Sequence, residues 1–480
     1  MLPSTHPRYT APLPLLPAPL ACLQFRPHRV AAVTVPWRFD DESEVSAERW
    51  QNAGYKRSVR RRSIASDNHR SEKHIRGRSA APVWLMGLTN AVFGMYGGIM
   101  VISVPQLLSS RNVPETTIAA MTAIMISPSF WTFLVSPVLD VRFSRRWYSV
   151  VTAVAAALLL VAAVLNLDDL AWVEGLLVAG YFFANLYQSA LGGWLASITT
   201  AEEENRISVW VTMGNLAGGG AMAVITGELV RNLPPGITAV LLGGLVLLPL
   251  LIFPWMEAPG PDRQLARESF GRFFGEVVGL VKQRDVLIAV ALFIAPAATF
   301  SLTNFLSGIG QDFGASVHFV GAVGGGGVFL GGIVGCLLFR AIDRLLPLRY
   351  LYLTIGIAGG VFTLCLTLLP HTPGAFAVAL IGENVFQALA ITASTAIAFS
   401  TIGRSNSFAA TTFCLMVSAF NVPISYMLVV DGFGYARGNI AGAYIADAVF
   451  SLISAGLLGT MLIWLSTQKR QVPATRIESL

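Results

Sequence analysis

Apolar residues dominate the chain from residue 82 onward, in long stretches separated by short polar breaks. The stretches fall near 82–108, 115–139, 147–166, 171–198, 207–230, 236–256, 286–310, 318–340, 350–369, 374–402, 407–430 and 441–466. A helix needs about 20 apolar residues to cross the hydrocarbon core of a bilayer, and these runs meet that length. Their continuity excludes the alternating strands of a membrane barrel. The pattern predicts an all-α membrane protein of twelve transmembrane helices. The longest break, 257–285, follows the sixth stretch, so two six-helix bundles are expected at 81–256 and 286–466. Within that break Phe270, Phe273, Phe274, Val277, Val278 and Val281 share one helical stripe, with Arg267, Glu268, Arg272 and Lys282 off it. This spacing predicts an amphipathic linker helix on the membrane surface.

The polar breaks carry their own signal. With the N-terminus inside, 16 Lys and Arg residues fall on the cytoplasmic side and three, Arg111, Arg231 and Arg437, fall opposite. Positive charge collects on the cytoplasmic face of membrane proteins, so both termini are expected there, in a cell inner membrane.

Composition agrees with a membrane chain. Of 480 residues, 54% are hydrophobic and 12% charged, against roughly 45–50% and 25% in soluble domains. The net charge of +6 resembles a nucleic-acid signal until it is located. Residues 1–80 hold 14 Lys or Arg and 7 Asp or Glu, so the excess belongs to a Pro-, Arg- and Ser-rich segment and not to a binding face. That segment is expected to be a basic tail without fixed structure, or to lie ahead of the true start. A short C-tail, 467–480, is expected at the other end. Cys22, Cys336, Cys365 and Cys414 have neither paired nor metal-ligand spacing, so no disulfide framework, zinc site or cofactor is expected.

An internal repeat links the halves. Asp140 is followed six residues later by Arg146 and then Trp147; Asp343 is followed six residues later by Arg349 and then Tyr350. The two copies lie 203 residues apart, about half of the membrane region. This is the separation that a duplicated six-helix unit requires. An Asp with clustered Arg between spans two and three, echoed between eight and nine, resembles the signature loop of the major facilitator superfamily. Ser136 and Ser144 stand where that pattern has Gly, and Arg142 comes one place late. Pro105 to Leu108 closing span one, and Pro128, Trp131, Phe133, Leu134, Ser136, Pro137 and Asp140 in span two, resemble the AmpG-like muropeptide permeases and their acetyl-CoA transporter relatives. Those permeases carry Asp in span four, where this chain has Asn185 and Gln188.

The resemblance implies alternating access, with spans one, four, seven and ten lining a cavity between two rocking halves. It also implies a gating loop of Asp140, Arg142, Arg145 and Arg146, with Asp140 paired to Arg146 and facing the N-terminus of span eleven, and a second copy at Asp343 and Arg349. Runs of Gly in spans five and eight are expected to form a close, sliding seam between the halves. Charged residues inside spans are costly and therefore informative. Glu383 lies inside span ten, with Asn384 next to it and Gln387 one turn on, as a candidate proton or substrate group. Asp447 in span twelve is a weaker candidate. Tyr96 in span one, Tyr181, Asn185 and Gln188 on one face of span four, Thr303 and Asn304 in span seven, and Asn421 in span eleven complete the candidate binding set. No Lys or Arg falls mid-span, which disfavours a strongly anionic solute.

Nothing in the sequence supports catalysis: there is no phosphate-binding loop, no His-Glu-x-x-His and no Gly-x-Ser-x-Gly. The expected function is secondary active transport of a small polar solute, proton-coupled, with a muropeptide or a sugar- or peptide-like molecule as the substrate class. A receptor on the same fold and an intramembrane enzyme are the rival readings.

Overall fold

In a bilayer every backbone N–H and C=O must be satisfied inside the protein, and a chain of long apolar runs does this by forming helices. The computed structural model describes residues 81–110, 113–141, 143–258, 275, 278–298, 301–404 and 406–470. The basic tail, Arg142, most of the linker stripe and residues 471–480 lie outside them. The helices are α1 (Val83–Leu108), α2 (Glu115–Ile126), α3 (Arg145–Leu165), α4 (Leu170–Ile198), α5 (Glu204–Asn232), α6 (Pro235–Trp255), α7 (Arg284–Ile294), α8 (Val317–Ile342), α9 (Leu348–Leu366), α10 (Pro373–Ile402) and α11 (Ala409–Arg470). Among the described residues, nine helices are long and apolar enough to cross a membrane. Each of the predicted stretches has a helical counterpart.

The first stretch contains a π-helical turn at Ile99–Ser103 and the sixth ends as a 3-10 helix at Leu248–Trp255; the second, the seventh and the last two depart further from separate straight helices. The second was expected to be continuous over 115–139. It instead continues from α2 as a short turn at Pro128–Trp131 and tight turns ending at Asp140. Pro128 and Pro137 cannot donate to the helical ladder. The seventh stops at Ile294 and resumes as a short helix, Ser301–Gly308, past Pro296. The last two stretches form one long element whose helical backbone is broken only at Gly438 and Asn439, the latter at a positive φ of 52°. The predicted loop over 431–440 is therefore helix as far as Arg437, and its two arms pack on each other at Gly434 and Gly442.

Apolar side chains occupy both the interior and the outer surface, as lipid contact requires. On α3, Leu160 is fully buried while Leu158 is 64% exposed. Of the linker stripe only Val278 and Val281 are described, and both are exposed; Leu280, off that stripe, is buried against Phe408.

Glycine sets how closely the helices approach. A Cβ at Gly94 would sit 2.0 Å from the Asn215 carbonyl oxygen, and one at Gly98 2.1 Å from that of Gly219. The α1–α5 seam is thus backbone on backbone. The Gly-rich seam expected between the fifth and eighth spans exists, but only part of the glycine set serves it. A Cβ at Gly220 would meet Phe329 and one at Gly332 would meet Leu216, whereas Gly214, Gly218 and Gly219 face α1 and Gly331 and Gly335 face α10. Small residues on several faces let α5 and α8 each pack against two neighbours.

Gly94→Val is expected to destabilise the protein by about 1–3 kcal/mol through overpacking, read as a lower unfolding temperature in detergent. Gly97→Ala, where an added Cβ meets nothing within 4 Å, is the control and should leave that temperature unchanged.

Candidate functional site

The tight turns that end α2 deliver Asp140 to a buried position against the other half of the molecule. Its Oδ1 accepts from Arg145 Nε at 2.9 Å and from the Ala410 backbone N–H at 3.1 Å. Its Oδ2 accepts from the Thr411 N–H and hydroxyl, both at 2.7 Å. Asp140 therefore caps α11 from outside that helix, where unsatisfied N–H groups and the helix dipole favour an anion. Arg145 completes the contact by donating to the carbonyls of Ser407 at 3.1 Å and Asn406 at 3.4 Å. The expected partner was Arg146. The structure pairs Asp140 with Arg145, the first residue of α3, which is buried; Arg146, one residue on and about 100° around the helix, is half-buried.

The second copy of the loop does not reproduce that pair. Asp343 accepts from the Asn205 side chain at the start of α5, at 3.3 Å, while Arg349 binds Asp285 at 2.9 Å. The placement is still symmetric in outline, since each loop reaches the first turn of a helix in the opposite half. Arg404 adds a further crossing contact by donating to the Ile198 carbonyl that ends α4, at 3.2 Å.

A second constellation lies in the C-terminal half. Glu383, 4% exposed, accepts from the Thr363 hydroxyl at 2.6 Å. Around it the fold gathers Asp447, 4% exposed, and Asp431, fully buried. Ser301, the first residue after the α7 break, contacts Asp431 Oδ2 at 2.7 Å and Asp447 Oδ1 at 3.3 Å. Glu383 is close enough for its charge to act on both aspartates. A cavity of about 20 Å³, room for one water molecule, touches Glu383, Thr363, Asp447 and Ser451. Among the described residues no Lys, Arg or His pairs with any of the three carboxylates. Sequence reasoning placed Asp431 in a loop and ranked Asp447 low; its signal was an acidic residue sixteen positions before another, on either side of a Gly–Asn break.

The remaining candidates are dispersed. Tyr181 stacks on Tyr96 and Phe93 and accepts from Ser129 at 3.2 Å, while Tyr96 donates to the Leu177 carbonyl. Asn185 and Asn384 donate back to their own helices, to Tyr181 O and Leu380 O. Gln188 and Thr303 are buried, Gln387 and Asn421 half-buried, and Asn304 exposed.

Helical bundles joined by buried polar contacts across a central seam define a multi-pass membrane protein of the carrier type. The sequence matches the family model of the Major Facilitator Superfamily over residues 85–420, and the chain belongs to that superfamily, a family of secondary transporters and not of enzymes. It is similar in fold to the Escherichia coli fucose:proton symporter (TM-score 0.57, 13% identity, 78% of this chain and 98% of that one). It is also similar to the human organic anion transporter TETRAN (TM-score 0.56, 13% identity, 78% and 98%). A third is a proton:xylose symporter solved with 6-bromo-6-deoxy-D-glucose (TM-score 0.57, 12% identity, 79% and 96%). No curated protein matches the chain. None of the matches named here singles out the muropeptide-permease group that the first-half motifs resemble.

Cys414, buried at the seam beside Asp140, reports on this contact. Removing one partner of a buried ion pair costs about 3–5 kcal/mol. In a chain whose other cysteines are Ser, Asp140→Asn should speed maleimide labelling of Cys414 at least tenfold; equal rates would show that the contact does not hold the seam shut.

Proposed function

We propose that this superfamily member is a proton-coupled carrier of a small, uncharged polar solute, with Glu383 as the coupling group. The observation that carries the reading is Glu383 itself: a carboxylate buried in α10, held by one hydroxyl and bonded by no described cation. Charge at that depth is expensive unless it is neutralised, and a proton is the cheapest neutraliser. A group that takes a proton in one conformation and releases it in another converts a proton gradient into directed motion.

The solute would meet amide and hydroxyl groups, from Tyr96, Tyr181, Asn185 and Gln188 in the N-terminal half and from Thr303, Asn304, Asn384, Gln387 and Asn421 in the other. Sugars, short peptides and cell-wall fragments fit such a lining. Two of the similar structures named above are sugar:proton symporters, which supports the reading by analogy of fold alone. The Asp140–Arg145 contact would act as the cytoplasmic gate, breaking and re-forming once per cycle, in an inner membrane with both termini inside.

A thermal-shift screen of the purified chain against those three solute classes supplies a transported probe. In proteoliposomes, Glu383→Gln should then lower accumulation driven by a proton gradient at least tenfold, while exchange of labelled for unlabelled solute continues. Accumulation at the wild-type level would overturn the assignment.

A further inference from the structure

Asp431 and Asp447 come from the two arms of α11, and the reversal at Gly438 and Asn439 sets them side by side. Between them lies one hydroxyl, that of Ser301, which is itself fully buried. A serine hydroxyl carries a single hydrogen, and an ionised carboxylate can only accept. Ser301 can therefore donate to one aspartate only, and its contact with the other is a hydrogen bond only when that carboxyl carries a proton. The shorter contact, to Asp431, is the one Ser301 donates; Asp447 then donates to the serine oxygen. The second oxygen of Asp431, Oδ1, is buried with no hydrogen-bond partner among the described residues. An anion with a bare oxygen in an apolar interior is unfavourable, and full charge on both aspartates would leave two such anions against each other and against Glu383.

The titratable group facing the pair is Glu383 on α10, which Tyr444 on α11 faces in turn; Ser301, from the short helix after α7, and Thr363, from α9, are neutral. We propose that Asp431 and Asp447 hold one proton between them through Ser301, a second proton site next to Glu383. The cavity bounded by both Glu383 and Asp447 has room for a water that would relay protons between the two sites. Because Ser301 begins a helix separated from the rest of α7 by a break, a shift of that short helix would withdraw the bridging hydroxyl and release the shared proton. The use of this proton for coupling rests on the carrier reading above; its presence does not.

Infrared spectroscopy of the purified chain in lipid, without solute, reads protonated carboxylic acids through their carbonyl stretch. In a Glu383→Gln background one such band is expected at neutral pH. Asp431→Asn with Asp447→Asn should abolish it, and Ser301→Ala, which removes one oxygen and keeps both acids, should shift it because the acid loses its acceptor. Absence of the band in the Glu383→Gln protein, or a band that neither further change alters, would overturn the proposal. Because no transport is measured, a wild-type result for Glu383→Gln uptake would count against the carrier reading alone.

Discussion

A buried charge in lipid has no water to turn to, so each one present must be answered by the protein. Asp140 is answered most completely. Two backbone N–H groups, one hydroxyl and one guanidinium converge on it, drawn from the start of α3 and the start of α11. That carboxylate joins the two halves of the molecule on their Arg-rich side, with Asp343 and Arg404 adding further crossing contacts. The contact is polar and local, which is what a gate needs, because it can be exchanged for water when the seam opens. An apolar seam of the same area would resist hydration.

Glycine sets the closest helix contacts. Where α1 meets α5, and where α5 and α8 cross, glycine removes the side chains that would hold helices apart. Close approach increases dispersion contact and lets Cα–H groups meet carbonyls, the main attraction available when lipid tails are as apolar as leucine. At the α5–α8 crossing each glycine instead receives a facing side chain, Phe329 against Gly220 and Leu216 against Gly332.

The C-terminal carboxylates answer the same constraint differently. Glu383, Asp431 and Asp447 have hydroxyl partners but no described cation. Arg145 lies against Asp140, whereas no described cation lies against the acids of the other half. The two halves of one repeated architecture thus treat their buried acids differently, one with a cation and one without a described one.

Much of the fold was legible in the chain. Apolar runs of bilayer length, the break after the sixth and the repeated Asp–Arg loop report the helices and the superfamily, because lipid imposes one rule on every spanning residue. The expectation that Asp140 faces the start of the eleventh span comes from the superfamily resemblance that this loop carries. What tertiary structure decided was partnership. Choice of Arg145 over Arg146 depends on which side of α3 is buried, and separation of Asp343 from Arg349 depends on where Asn205 and Asp285 come to rest. Asp431 and Asp447 are remote in pattern from Glu383, and only the reversal at Gly438 and the break near Pro296 bring them and Ser301 together. Hydrophobicity is a property each residue carries along the chain; which polar atoms meet is a property of how helices cross, and that is settled only when they pack.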